Sequence, residues 1–468
     1  MKKLYAVYKP FYQANLQLAL PVIISQLGQV LVQTSDSIIV GQFAGTTSLA
    51  AVSLVNSIFI MILVIGIGIA YGLTPLIAQE NGRKNDAACG KLLAASLGIN
   101  LISGLILFLL IYFGSVILLD HLGQSPEVVV LAKPFLLLMG FSIIPLMIFN
   151  TFKQFAEGLG FTKQAMMVSI WGNILNICLG IIFVKGLFGI APMGIRGVGL
   201  STLIDRTVMA VGMSVYIFRS KHFKKYLSGF SFWQISLKTY RQILAIGAPV
   251  AIQYSCEVSA FSGAAILIGT MGDVQLAAHQ VAINLASLTF MMASGIGAAA
   301  AIKSGNFFGA KDYFQLRKSA QASYHIVLLF MTGTALIFLF ANHLIPWIYT
   351  SDENVISLTA KLLIIAAMFQ LFDGTQVVGL GILRGIGDVK IPTIITFIAY
   401  WLIGLPVGYA LGIQLNLGAS GIWYGLTAGL MTASLLLYFR FNYFSKKLQA
   451  SLIRNYSKLI KQPERSYR

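Results

Sequence analysis

LAAVSLVNSIFIMILVIGIGIAYGLTPLIAQENGRK (residues 49–84) and LAAHQVAINLASLTFMMASGIGAAAAIKSGNFFGAK (residues 276–311) decide the architecture. Each is apolar for longer than the roughly 20 residues a helix needs to cross about 30 Å of hydrocarbon. Each also copies the other. Leu49-Ala50-Ala51 recurs as Leu276-Ala277-Ala278, Gly68 as Gly295, Gly82 as Gly309, Lys84 as Lys311 and Lys91 as Lys318, all 227 residues apart. The same offset links Gly158, Gly160 and Lys163 to Gly385, Gly387 and Lys390. One offset held through several helices and loops marks an internal duplication.

Further apolar stretches flank this pair. They lie near 14–40, 50–78, 92–119, 128–152, 164–188 and 197–218, and again near 242–269, 276–303, 319–349, 356–383, 391–413 and 419–441. These are the twelve transmembrane helices expected of an all-α integral membrane protein. Six spans per half is an even number, so both halves enter the bilayer in the same orientation. The repeats are then related by an axis along the membrane normal, as two pseudo-symmetric six-helix lobes around a central cleft. The lobes are expected at 14–219 and 241–444, with a linker at 220–240 and a basic tail at 445–468. Secondary transporters place their substrates in such a cleft.

Composition and charge agree. Of 468 residues, 57% are hydrophobic and 10% charged, against about 25% charged in soluble domains. A soluble enzyme, a secreted disulfide scaffold and a disordered chain are excluded. A net charge of +18 would suggest nucleic-acid binding in a soluble protein. Here, assigning loops to alternate sides places 28 of the 33 Lys and Arg residues on the side of the N-terminus. Lys133, Lys185, Arg196 and Lys361 fall opposite, and Arg206 within a span. The positive-inside rule then makes both termini cytoplasmic, in a multi-pass protein of the plasma (inner) membrane, and topology accounts for the basicity. No nucleic-acid partner is expected. Met1–Gln13 reads as a basic, aromatic lead-in to the first span rather than a cleaved signal. Cys89, Cys178 and Cys256 are isolated, and no CxxC, HExxH or paired His spacing occurs. No metal site, disulfide or cofactor is expected. Without a GxxxxGK[ST] phosphate loop, energy has to come from an ion gradient unless transport is passive.

Three acidic residues sit well inside apolar spans: Asp36 in span 1, Glu257 in span 7 and Asp373 in span 10. A charge at a helix centre costs roughly 2.5–3.5 kcal/mol even on the translocon scale, so each points to an ion or substrate site facing a hydrated cavity. Gln26, Gln29, Gln33 and Asp36 recur at helical spacing along one arc of span 1. Gln370, Asp373 and Gln376 form a looser stripe in span 10. Gln253 and Glu257 share a face of span 7, with Tyr254 and Phe261 beside them, and span 8 adds His279, Gln280 and Asn284. The plainer alternative for the glutamines is hydrogen bonding between packed helices. For the carboxylates it is a structural role, and for His279 a packing role. Asp205 and Arg206, adjacent and so on different faces, read as structural. Glu157 reads as the start of a cytoplasmic Glu-Gly-Leu-Gly turn. Phe290, Tyr254 and Phe261 would give a cation–π surface near the carboxylates.

Three stretches carry a family resemblance. One is Leu276-Ala277-Ala278-His279-Gln280-Val281-Ala282-Ile283-Asn284 with Ser287-Leu288 and Phe290-Met291. The second runs from Asp373 through Gln376-Val377-Val378 and Leu383-Arg384-Gly385 to Tyr400-Trp401 and Gly404-Leu405-Pro406. The third is Asp36-Ser37-Ile38-Ile39-Val40-Gly41 with Leu49-Ala50-Ala51. Together they resemble the multidrug and toxic compound extrusion (MATE) transporters, NorM-type branch, over roughly residues 14–444. The resemblance implies a V-shaped antiporter expelling amphipathic, mostly cationic compounds in exchange for Na⁺ or H⁺. It implies cation coupling at Glu257 and Asp373, with Asp36 contributing from the first lobe. Gln33, Tyr254, Phe261, Asn284, Phe290 and Gln376 are the candidates for lining the substrate cleft. One departure stands out: in Asn176-Ile177-Cys178-Leu179-Gly180, Gly180 occupies a position where the family has Asn or Asp. That thins the first-lobe network and favours the second-lobe carboxylates. A monomer is the simplest expectation. The competing readings are a flippase or exporter of a lipid-linked or other endogenous metabolite, expected to line its cleft with bases, and an integral-membrane enzyme.

Overall fold

Helices account for the fold, and no strand occurs among the described residues of this computed structural model, which are 2–117, 119–121, 125–233 and 236–460. Backbone polar groups removed from water have to be satisfied within the segment, and a helix does so. Among the described residues, twelve helices are long and apolar enough to span a membrane. The first six are α1 (Ala6–Phe43), α2 (Thr46–Gly82), α3 (Asp86–Ser115), α4 (Pro126–Gly158), α5 (Thr162–Lys185) and α6 (Ile195–Arg219). The second six are α7 (Leu237–Gly269), α8 (Asp273–Gly309), α9 (Tyr313–Phe340), α10 (Glu353–Gly385), α11 (Lys390–Gln414) and α12 (Gly418–Ser451).

The duplication is visible in the backbone. Lys84 and Lys311, 227 residues apart, adopt φ of 58° and 59°, a left-handed conformation uncommon outside glycine. Gly160 and Gly387 match at 90° and 84°.

Each lobe has its own core. In the first lobe Val55, Phe59, Phe135, Ile143 and Phe149 cluster; in the second, Ala260, Ala282, Phe369, Tyr400 and Trp423 do. Two smaller clusters join the lobes: Ala19 and Ile23 of α1 with Ala293 and Ile296 of α8, and Ile246 and Val250 of α7 with Tyr71 and Leu76 of α2. The crossing helices approach as symmetric pairs. A Cβ built on Gly68 would fall 2.3 Å from Ala251 Cα, and one on Gly295 would fall 2.9 Å from the Ile23 backbone nitrogen. Further along, Gly82 faces the Asn306 carbonyl and Gly309 the Gln79 carbonyl, each with a would-be Cβ at 2.0 Å.

The Gly82 and Gly309 contacts lie at the end carrying the chain termini. So do the hydrogen bonds found between the lobes: Gln79 Nε2 to the Gly385 carbonyl (2.8 Å), Tyr8 to Gln321 (2.7 Å) and Asn15 to Ser323 (2.9 Å). The lobes are closed there and part towards the opposite end, where Gln33 and Asn284 are exposed. The N-terminal lead-in is not separate from span 1: helix begins at Lys2, and Tyr8, Tyr12 and Asn15 dock on α9 of the other lobe. In the linker, Phe223 and Tyr226 are buried and Tyr226 donates to Asn81. Linker residues 234–235 and tail residues 461–468 lie outside the described residues.

Because backbone rather than a flexible side chain faces Gly309, Gly309→Val has to push the helices apart, at a cost of about 1–3 kcal/mol. It is expected to lower the melting temperature by several degrees. Gly212→Val, at a glycine with nothing within 4 Å, is expected to leave it unchanged. Equal melting temperatures for the two variants would contradict the crossing.

Candidate cation and substrate site

Glu257 lies six residues beyond Ala251 on α7, about 9 Å further along the helix axis than the inter-lobe crossing. It is buried, and its Oε1 accepts a hydrogen bond from the Tyr400 hydroxyl at 3.1 Å. Gln376 Nε2 of α10 donates to the same hydroxyl at 3.0 Å. The hydroxyl therefore passes polarity from α10 through α11 to α7. Asp373, one turn before Gln376, is also buried, and its charge and that of Glu257 act on one another. Phe261, one turn after Glu257, packs 5.7 Å from the Tyr400 ring and 6.2 Å from Phe369. Two carboxyl groups thus share an apolar box with one hydroxyl and one amide. Among the described residues, neither forms an ion pair with Lys or Arg.

Tyr400 reaches this position because α11 departs from α geometry. Ile398–Gly404 and Ala410–Gln414 are π-helical, on either side of Leu405–Tyr409 with its Pro406. Proline supplies no N–H to the helix ladder, and π turns re-aim the side chains they carry.

Glu257 also borders a cavity of about 60 Å³ between the lobes, lined by Gln26, Tyr71, Gln253, Tyr254 and Phe290 among others. That is room for an ion or a few waters, well short of the roughly 300 Å³ of a small-molecule pocket. Gln33 and Asn284 are not among the residues lining this cavity, and both are exposed.

Asp36 belongs to a separate polar group in the first lobe. Its Oδ1 is buried without a hydrogen-bond partner, and the charges of Arg206 and Asp205 act on it. Arg206 donates to Ser142 Oγ at 2.6 Å and lies 5.1 Å from the Phe59 ring centroid. Asn176 donates to Thr202 at 3.2 Å. A Cβ built on Gly180 would meet Ile39 Cδ1 and Ser201 Oγ, both at 3.6 Å. The first-lobe carboxylate therefore lies under the charge of Arg206, and in the second lobe Glu257 lies under that of Arg384, in neither case as an ion pair.

Several residues sit differently from the sequence expectation. Gln376, expected on the cleft wall, is wholly buried and bonded to Tyr400, because α10 is enclosed by its neighbours. Glu157, read as a surface turn residue, is buried with Lys153 at 4.0 Å, since the end of α4 packs on α2 and the linker and borders the inter-lobe cavity. Lys153 and Arg384, assigned to the loop side by charge counting, line the inter-lobe cavity. His279 accepts from Trp423 Nε1 at 3.1 Å, a packing role. Sequence reasoning passed over Tyr400; its signal was a tyrosine six residues before Pro406 in a span otherwise poor in polar groups.

Tyr400→Phe keeps the ring against Phe261 and removes the hydroxyl. A hydrogen bond to a charged group contributes about 1.5–3 kcal/mol, so transport is expected to fall about tenfold or more at near-parental expression. Parental transport rates in vesicles would take the hydroxyl out of the site.

The MatE family model matches residues 21–182 and again 249–410, two segments of equal length. The chain is 31% identical to a probable multidrug resistance protein NorM of Rhizobium meliloti over 445 residues, 94% of this chain and 95% of that one. It is 34% identical to the multidrug resistance protein NorM of Photobacterium profundum, covering 91% and 94% of the two chains. To MdtK of Yersinia pseudotuberculosis it is 31% identical, covering 94% and 96%. Among solved structures, an outward-facing multidrug resistance MATE transporter aligns with a TM-score of 0.86 at 21% identity, covering 94% of this chain and 96% of that one. The eukaryotic MATE transporter AtDTX14 aligns at 0.85 and 19%, covering 96% and 99%. The fold is theirs, the duplication is matched segment by segment, and the chain belongs to the MatE family.

Proposed function

We propose that the protein is a secondary antiporter that exports amphipathic, mostly cationic compounds in exchange for Na⁺ or H⁺. The observation that carries this reading is the pair of buried carboxyl groups, Glu257 and Asp373, neither in an ion pair with Lys or Arg among the described residues, with Glu257 bordering the cavity between the two lobes. The relatives are named as multidrug resistance proteins, and transport rather than catalysis is the activity of the family.

By the positive-inside rule the termini face the cytoplasm of a plasma (inner) membrane protein. The closed end then lies inside, and the cleft opens outwards. In this state Glu257 and Asp373 take a cation from outside, with Tyr400 and Gln376 completing an oxygen-rich shell. Such a shell suits Na⁺, a hard cation, as well as a proton. Once the lobes rock over and the ion leaves, the same carboxylates attract a cationic drug among Tyr254, Phe261 and Phe290. Competition for one site yields exchange without long-range signalling. Gln33 and Asn284 serve on the cleft walls, and Asp36, held by Arg206, has a secondary part. A monomer suffices for this cycle.

The flippase reading calls for bare bases in the cleft. Lys153 and Arg384 do line the cavity, but Lys153 pairs with Glu157 and Arg384 is covered by Tyr71 and Tyr254, which favours the antiporter.

Ethidium efflux from everted vesicles, with ΔpH and ΔNa⁺ imposed separately, is the test. One gradient is expected to drive efflux, and Asp373→Asn to abolish it at parental expression. Undiminished efflux by Asp373→Asn, or no efflux under either gradient, would overturn the reading.

A further inference from the structure

Arg384 lies where both lobes and the carboxylate site meet. Its guanidinium carbon is 5.4 Å from the Tyr71 ring centroid and 5.5 Å from that of Tyr254. Tyr71 belongs to the first lobe, at the break in α2 where Tyr71-Gly72 interrupts the helix, and Tyr254 belongs to the second. The guanidinium therefore bridges the lobes as a cation shared by two aromatic faces. Next to it, the Gly385 carbonyl accepts from Gln79 of the first lobe. Arg384 Nε is buried without a hydrogen-bond partner, so hydrogen bonding does not explain its position.

Charge does. The groups facing Arg384 across the cavity are Tyr71 of α2, Lys153 and Glu157 of α4, and Tyr254 and Glu257 of α7. Glu157, the repeat equivalent of Arg384 at the offset of 227, is matched by Lys153. Glu257 is the carboxylate whose charge acts on Arg384.

We propose that Arg384 is a positioning residue that links cation loading of Glu257 to the parting of the lobes at the terminal end. This rests on the reading that Glu257 takes the coupling cation. With Glu257 unloaded, its charge holds the guanidinium between the two tyrosines and the lobes stay together. A cation on Glu257 cancels that attraction. The guanidinium is then left in a nearly dry cavity between a second cation and Lys153. Its way out is towards water at the terminal end, which takes it off Tyr71 and frees the first lobe. Linkage makes the effect reciprocal: Arg384 weakens cation binding by the same factor by which the cation loosens the clamp.

The test uses the full chain with Cys89, Cys178 and Cys256 changed to Ser and a reporter Ala298→Cys in the cavity wall. An impermeant maleimide is applied to the face carrying the termini. In the parent, labelling is expected to be slow and to rise about fivefold or more when Na⁺ is raised at fixed pH or pH is lowered at fixed Na⁺. Arg384→Gln is expected to label fast whatever the ion. Arg384→Lys, which keeps the charge but loses the planar stack, is expected to keep the ion response at an intermediate rate. Parental labelling by Arg384→Gln, slow and ion-responsive, would overturn the proposal while leaving Glu257 as the cation site. An ion response that survives Glu257→Gln would overturn both readings together.

Discussion

A carboxyl group held away from water has to acquire something positive, and the rest of the molecule follows from which positive group is within reach. Burying a charge without a partner costs several kcal/mol. Glu157 meets this requirement with Lys153, and Asp36 lies under the influence of Arg206. Glu257 and Asp373 have each other, a tyrosine hydroxyl and a glutamine, with Arg384 across the cavity from Glu257 but in no ion pair with it. The first two are settled within the protein. The second pair is left to find its cation in solution, and a gradient can do work on such a site.

The lobes give that cation leverage. Gly68 against Ala251 and Gly295 against Ile23 are one contact made twice by a duplicated backbone, and they place a fulcrum across the middle of the molecule. Glu257 sits about 9 Å beyond it along α7, buried on the wall of the inter-lobe cavity that Arg384 also lines. The symmetry is of backbone alone. Tyr400, Asp373 and Glu257 have no acidic or phenolic equivalents in the first lobe, where Asn173, Leu146 and Val30 stand 227 residues earlier. Duplication gave the two lobes one backbone, and divergence of side chains left Glu257, Asp373 and Tyr400 in one of them.

Much of this could be read from the amino-acid sequence, because the bilayer imposes rules that act on composition. Span length, the 227-residue offset, the side chosen by Lys and Arg, and the cost of Asp36, Glu257 and Asp373 in hydrocarbon all leave marks in one dimension. What stayed hidden depends on contacts between distant segments. Glu157, Lys153 and Arg384 lie at helix ends, where charge counting places residues in water; only the two lobes facing one another across a cavity make that end an interior. Gln376 looks like a cleft residue by helical periodicity, yet α10 is enclosed on that face by α11. Tyr400 reaches Glu257 only because α11 is distorted around Pro406. The helical lead-in, docked through Tyr8 and Asn15 on α9, is invisible to hydropathy because its partners lie some 300 residues away.

The central claim is that ion and drug compete for one pair of carboxylates. Equilibrium binding of a fluorescent cationic drug to the purified protein tests it, with Na⁺ titrated at fixed pH and pH varied at fixed Na⁺. The account predicts that the apparent Kd rises in proportion to the coupling ion without levelling off, and that Asp373→Asn removes this dependence. A Kd that reaches a plateau at saturating ion would mean that drug and ion occupy the protein together, and would contradict the account.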